Sequence, residues 1–173
     1  TFWALTQGEQ QHGVTWHLVT AGVDEGDIIE QEPIPIAAED TSWTLNLKCF
    51  EKAFECYTRL VDTLLEDKEL VVHAQPQEGR SYWGLNQRVP GAGILNFAIP
   101  ASRKEALCRA MDFGHAFNPM ALPKVWTGTC LVIAQRARLV PAQDAQESVT
   151  VIEVQDDSAL ISTPEGSLRL EGL

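Results

Sequence analysis

The stretch "HGVTWHLVTAGVDEGDIIEQEPIPI", residues 12–36, decides how this chain reads. Apolar and polar residues alternate over 14–20, with β-branched and aromatic side chains among them, and this predicts a strand. A second strand is predicted over 27–36, where Pro33 and Pro35 push its far end to an edge or out of the ladder. A loop centred on Asp24 joins the two, which makes an antiparallel pair. Asp24, Glu25 and Asp27 lie around Gly22 and Gly26, with His17 one strand upstream. Glycines in such a loop permit backbone conformations that other residues avoid, and so can hold a carboxylate against a cleft. A histidine close by can share a proton with it, and a pair of that kind suits general acid–base work. D-E-G-D is also an ordinary solvated turn, and spacing alone leaves both readings open. The loop lacks the alternating oxygen ligands and distal bidentate Glu of a calcium site, and it is too acidic to cradle phosphate.

Working outward, residues 2–7 read as the end of a helix that "QGEQQHG" breaks. Downstream, "EDTSWTLNLKCFEKAFECYTRLVDTLLEDKEL" is the clearest helix, with Asp40, Thr41 or Ser42 as N-cap. Trp43, Leu47, Phe50, Phe54, Tyr57, Val61 and Leu64 form one apolar stripe, expected to be core and to pack on the preceding strands. "QPQEGRSYWGLNQRVPGAG" reads as a long connection. "PASRKEALCRAMDFG" predicts a short helix with Ser102 and Glu105 as capping box and Gly114 as its C′ glycine, and "HAFNPMALPK" an irregular loop. Short strands with Asp-Asp-Ser and Pro-Glu-Gly turns then suggest a small antiparallel barrel.

Thirteen Lys+Arg stand against 24 Asp+Glu, a net charge of −11. Residues 1–90 hold 15 of those acidic residues beside 6 basic ones. A nucleic-acid partner needs a basic face, so none is expected. Neither a membrane span nor a leader is visible, and the expected compartment is the cytoplasm. Cys49, Cys56, Cys108 and Cys130 show no zinc spacing, and Cys49 and Cys56 sit two turns apart on one helix. Four reduced core thiols and no metal are expected. The opening "TFWALTQGE" and closing "GSLRLEGL" read as cuts through structure, as in a piece of a longer polypeptide.

The run "GVTWHLVTAGVDEGDIIEQEPIPI" followed by "DTSWTLNLK" resembles the folate-dependent formyltransferases, whose motif is a strand, a G-(V/L/I)-D-x-G-(D/P)-(I/V/M) loop, a strand, a D-T or D-S cap and a helix. "LCRAMDFGHAFNPMALPK" and "VTVIEVQDDSALISTPEGSLRLEGL" are similar to that family's carboxy-terminal domain. "TFWALTQGE", "TWH" and "DFG…NP…LPK" look like the formylation domains that open nonribosomal peptide synthetases. The resemblance implies an α+β chain in three parts. Residues 1–75 would be the carboxy-terminal half of a Rossmann-like catalytic domain, with an antiparallel strand pair and a long helix. Residues 76–98 would be a linker, and 99–173 an OB-like small antiparallel β-barrel.

The resemblance further implies 10-formyltetrahydrofolate as co-substrate and an amine as acceptor, plausibly an aminoacyl group on a carrier protein. Asp24 takes the family aspartate's place, and His17 that of a supporting histidine in a V-H-F-V setting. The backbone of Ala21, Gly22, Val23 and Asp24 would line the pterin pocket. The family's asparagine and histidine belong to an N-x-H-x-S/G-x-L-P segment with no counterpart in these 173 residues. The expectation is therefore a carboxy-terminal portion, inactive alone, whose partners are the rest of the formyltransferase domain and neighbouring adenylation and carrier domains. The alternative is a catalytically incomplete docking module of such a synthetase. The strands at 14–36 would leave an unsatisfied edge, and self-association through it is expected.

Overall fold

Thr41 starts the longest element by satisfying two otherwise orphaned amides. Its hydroxyl accepts from the Thr44 N–H at 3.2 Å, and the Thr44 hydroxyl accepts from the Thr41 N–H at 2.9 Å. The helix that follows, α2, runs Ser42–Leu65. In this computed structural model the backbone is described for residues 1–76, 78–84, 86–141, 150–163 and 166–173. Before α2 come a short helix α1 (Phe2–Gln7) and two strands, β1 (Gln11–His17) and β2 (Ile28–Pro35). After it come α3 (Ala101–Met111) and strands β3 (Lys124–Trp126), β4 (Leu131–Ile133), β5 (Arg136–Val140), β6 (Thr150–Gln155), β7 (Ser158–Thr163) and β8 (Gly166–Glu171). The chain is thus mixed α and β, and among the described residues the paired strands run antiparallel.

β1 pairs with β2 from Gln11 opposite Pro35 to His17 opposite Ile28, with an irregularity between Trp16 and His17. The first strand therefore begins and ends three residues earlier than the alternation suggested. Residues 11–13 find ladder partners in 33–35, whereas Leu18 to Thr20 turn away into the loop. Both prolines stay inside β2. The carboxy-terminal strands form a hairpin, β3–β4, and a four-stranded sheet of order β5-β8-β7-β6. The Asp-Asp-Ser turn is present at 156–158; Pro164 and Glu165 of the Pro-Glu-Gly turn lie outside the described residues.

One continuous core joins these parts. Phe2, Leu5, Ile34 and Leu45 cluster with Cys108, Met111, Val125, Ile161, Leu168 and Leu170, all nearly sealed from solvent. The apolar stripe of α2 is not in that core. Phe50 is 72% exposed, Phe54 69% and Leu64 55%, while the helix buries Ser42, Leu45 and Cys56 instead. Periodicity reports that a face is apolar, and packing decides which face is covered. Here β1 and β2 are met by the neighbouring face, where the Trp16 indole N–H donates to the Ala53 carbonyl and Arg59 pairs with Glu30 and Glu32.

The start of α3 also departs from expectation. The helix begins at Ala101 after Pro100, with no side-chain cap, and Glu105 pairs with Arg109 one turn on. Gly114 does take a left-handed φ of +59°, and a Cβ there would meet the Trp43 ring at 2.9 Å. Of the four free thiols, Cys130 is exposed, which removes it from the core set. Burial pushes the Cys108 thiol up to about 12, so it stays protonated and unreactive.

Asp40, 4% exposed, anchors the entry to α2. Its carboxylate accepts from the Ala37 N–H at 2.8 Å, the Thr44 hydroxyl at 2.9 Å and the Lys48 ammonium at 2.6 Å. Burial alone would push the carboxyl up. The Lys48 pair and the two hydrogen bonds outweigh it and hold the group below its ordinary value. A depressed folded value adds stability above the unfolded one, and this stability is lost as pH falls through the folded one. Asp40→Asn is therefore expected to cost roughly 1–3 kcal/mol near neutrality. In urea titrations over a pH series that difference should shrink below about pH 4.

Candidate active site

His17 ends β1, and its orientation is set by its own neighbour. The ring Nδ1 lies 2.9 Å from the Leu18 carbonyl oxygen, which can only accept, so Nδ1 carries a proton. That turns Nε2 towards Asp24, whose Oδ1 is 3.5 Å away. Between a neutral imidazole in this tautomer and an ionised carboxylate there is room for one shared proton. The pair can accept that proton as a unit and pass it on, which is what a general base requires. Its surroundings are wet: the His17 side chain is 27% exposed and that of Asp24 79%. Once the shared proton makes the imidazole cationic, its Coulomb attraction to the carboxylate is small and screened there.

The loop from Leu18 to Asp27 closes on itself where the Leu18 N–H donates to the Asp27 carbonyl at 2.9 Å. Neither Gly22 nor Gly26 takes a positive φ; Asp24 does, at +54°. The freedom expected of the glycines is thus exercised by the carboxylate residue itself, and Asp is among the side chains that tolerate this region. Gly26 is needed for another reason. A Cβ at that position would stand 1.7 Å from the Leu18 carbonyl oxygen, so two stretches of backbone touch there.

His17 and Asp24 border a shallow concavity of about 350 Å³ lined also by Gly13, Thr15, Ile28, Gln31 and Gln75. Ala21, Gly22 and Val23 are exposed and stand outside this lining, Val23 by 73%. The structure therefore brings together two of the five residues singled out from sequence. Two further polar groups, Gln31 and Thr15, are joined by a 2.8 Å hydrogen bond across the strand pair. Gln75 reaches in from the connection after α2, where its side chain donates to the carbonyls of Asp24 and Gly26. No local pattern marks Gln75, because its role comes from a contact 49 to 51 residues away in sequence. A second convergence, Glu30, Glu32 and Cys56, has ligand-type atoms within 4.8 Å of one another. Arg59 already fills it, donating to Glu30 at 2.6 Å and Glu32 at 2.7 Å and lying 3.4 Å from the Cys56 sulfur.

Residues 1–61, which hold α1, the strand pair, the loop and most of α2, match the family model described as formyl transferase. The methionyl-tRNA formyltransferase of Thermosynechococcus vestitus is 32% identical over 139 residues, 80% of this chain and 38% of that protein. The chain is similar to the folate-dependent formyltransferases, most clearly over its first 61 residues. A methionyl-tRNA formyltransferase of Acidithiobacillus ferrooxidans is 24% identical over 96% of this chain and 50% of its own length. The chain thus spans half or less of the length of these two relatives. Among solved structures, HypX from Aquifex aeolicus superposes with a TM-score of 0.75 at 15% identity, over 98% of this chain and 28% of that one. WlaRD, a sugar 3N-formyl transferase solved with dTDP and 5-N-formyltetrahydrofolate, superposes at 0.63 with 19% identity, over 99% of this chain and 58% of that one. At such identities the likeness is one of formyltransferase fold.

Proposed function

We propose that this chain is the carboxy-terminal portion of an enzyme that moves a formyl group from 10-formyltetrahydrofolate to an amine. Asp24 and His17 serve as the proton acceptor. The observation that carries this reading is the 3.5 Å approach of His17 Nε2 to Asp24, with Nδ1 held on Leu18, inside the segment that matches the family. The amine nitrogen bonds to the formyl carbon, and the bond from that carbon to the folate nitrogen breaks. The proton shed by the amine passes to the Asp24–His17 pair, which returns it to the folate nitrogen as tetrahydrofolate leaves. The polar groups of Thr15, Gln31 and Gln75 around the concavity suit the hydrogen-bonding edge of a pterin. The open, hydrated surroundings call for a further part of the fold to exclude water.

That further part fits two unfilled features. Among the described residues β1 has a ladder partner on one edge only, β2. Phe50, Phe54 and Leu64 also leave a row of apolar surface on α2. In this reading residues 1–75 complete a Rossmann-like sheet with a preceding half, 76–98 link, and 99–173 form the OB-like barrel domain. The acceptor proposed is an aminoacyl group on a carrier protein of a nonribosomal peptide synthetase. The net charge of −11 supports this over a tRNA surface. The exposure of Asp24 favours a second reading, a docking module that has lost catalysis.

The test is an assay of the polypeptide carrying this chain with its complementary half. It is supplied with 10-formyltetrahydrofolate and, in turn, an aminoacyl carrier, an aminosugar nucleotide and methionyl-tRNA. Formylation of the carrier-bound amine is expected, with little or none from the 173 residues alone. Failure to formylate any acceptor, by a protein that folds and binds folate, would leave only the docking module.

A further inference from the structure

Asp24 occupies a backbone conformation that few side chains choose, in a loop exposed along most of its length. What keeps its carboxylate turned to His17 is therefore a question with a structural answer. We infer that Gln75 is the positioning residue for the Asp24–His17 pair.

Its side-chain nitrogen donates to the Asp24 carbonyl at 3.1 Å and to the Gly26 carbonyl at 2.6 Å. Holding the Asp24 carbonyl fixes the peptide that follows it, and with it the direction in which the Asp24 side chain leaves the backbone. Holding Gly26 as well fixes the place where the loop touches Leu18, the same residue whose carbonyl orients the imidazole. One amide thus ties down both partners of the pair. Gln75 is itself anchored two residues earlier, where His73 and Ile28 exchange backbone hydrogen bonds at 2.7 and 2.8 Å. The Leu18 N–H to Asp27 carbonyl bond closes the base of the loop without touching Asp24, and the remaining supports are weaker. Arg80 approaches Glu25 at 4.0 Å between exposed side chains, and the Thr20 hydroxyl reaches the Gly22 carbonyl at 3.4 Å on the opposite limb.

The inference concerns this chain's own geometry, and it rests on the formyl-transfer reading only for its consequence in catalysis. It is tested by recording the His17 ring nitrogen resonances by NMR at one fixed pH in four proteins: wild type, D24N, Q75A and the double variant. Glu25 and Asp27 of the loop, and Arg80 beside Glu25, are common to all four and cancel in the comparison. D24N is expected to move the His17 Nε2 resonance on the wild-type background, and by less than half as much on the Q75A background. If Gln75 only lent stability, Tm would fall while the two shifts stayed equal, and that result overturns the inference. So does the absence of any shift from D24N in the wild type, since there would then be no pair to position. Should Q75A fold poorly, Gln75→Leu fills similar space without a donor and should lose the same coupling.

In the formyl-transferring polypeptide, Q75A should lower kcat roughly 10²-fold with little change in KM for the acceptor. A wild type that transfers no formyl group while the four resonance comparisons behave as stated sinks the catalytic reading alone. The inference about Gln75 then stands.

Discussion

Asp24→Asn is expected to lower formyl transfer by about 10²–10⁴-fold, the usual weight of a positioned general base. Stability should barely move. Asparagine matches aspartate in shape and accepts a left-handed backbone at least as readily, so the φ of +54° is no obstacle. The carboxylate is 79% exposed, and its close partner among the described residues is a histidine at 3.5 Å, so the folded state leans on it little. Thermal unfolding should stay within about 0.5 kcal/mol of the wild type, as for a surface substitution. Measuring kcat and Tm on the same preparations separates the two effects. A drop in rate with an equal collapse in stability would make Asp24 structural, and an unchanged rate would move the proton transfer elsewhere.

Gly26→Ala should have the second large effect, and through a different cause. The new Cβ would lie 1.7 Å from the Leu18 carbonyl oxygen, 2.7 Å from its carbon and 3.3 Å from His17 Nδ1. The first two are backbone atoms that cannot swing away, so the loop must open. Opening it strains the Leu18-to-Asp27 hydrogen bond and pulls away the carbonyl that orients the imidazole. A loss of roughly 1–3 kcal/mol is expected in urea titrations, as for other overpacked sites. Activity should fall with it. Gly22 supplies the control: a Cβ there would meet the Glu25 carboxylate at 2.1 Å, the far end of a flexible and exposed side chain. Gly22→Ala should therefore change stability by less than about 0.5 kcal/mol. Equal costs at the two glycines would contradict the close approach at Gly26.

The features that local chemistry dictates were readable before any coordinates. The antiparallel pair around Asp24 follows from alternation and a turn, and α2 follows from Thr41 and a run of helix formers. The Asp24–His17 pairing came from residue types and one strand's distance, and the structure places the two 3.5 Å apart. What escaped depends on contacts between distant segments. The Trp43-to-Leu64 stripe is apolar by composition, yet the face of α2 that β1 and β2 cover is the one with Leu45 and Cys56. The roles of Gly22 and Gly26 were misassigned, because spacing cannot distinguish a need for positive φ from a need for close approach. Ser102 and Glu105 match a capping pattern, but Pro100 takes the N-cap place two residues too early for Ser102 to cap α3. Gln75 carried no signal at all, since only the folded chain brings it to the loop.

The most direct measurement is a crystal structure of a polypeptide that contains this chain, bound to 5-formyltetrahydrofolate. If the loop performs the proton transfer, the formyl group should lie within hydrogen-bonding reach of Asp24 or His17, about 2.6–3.2 Å or one water away. Folate bound elsewhere, with both side chains facing open solvent, would contradict it.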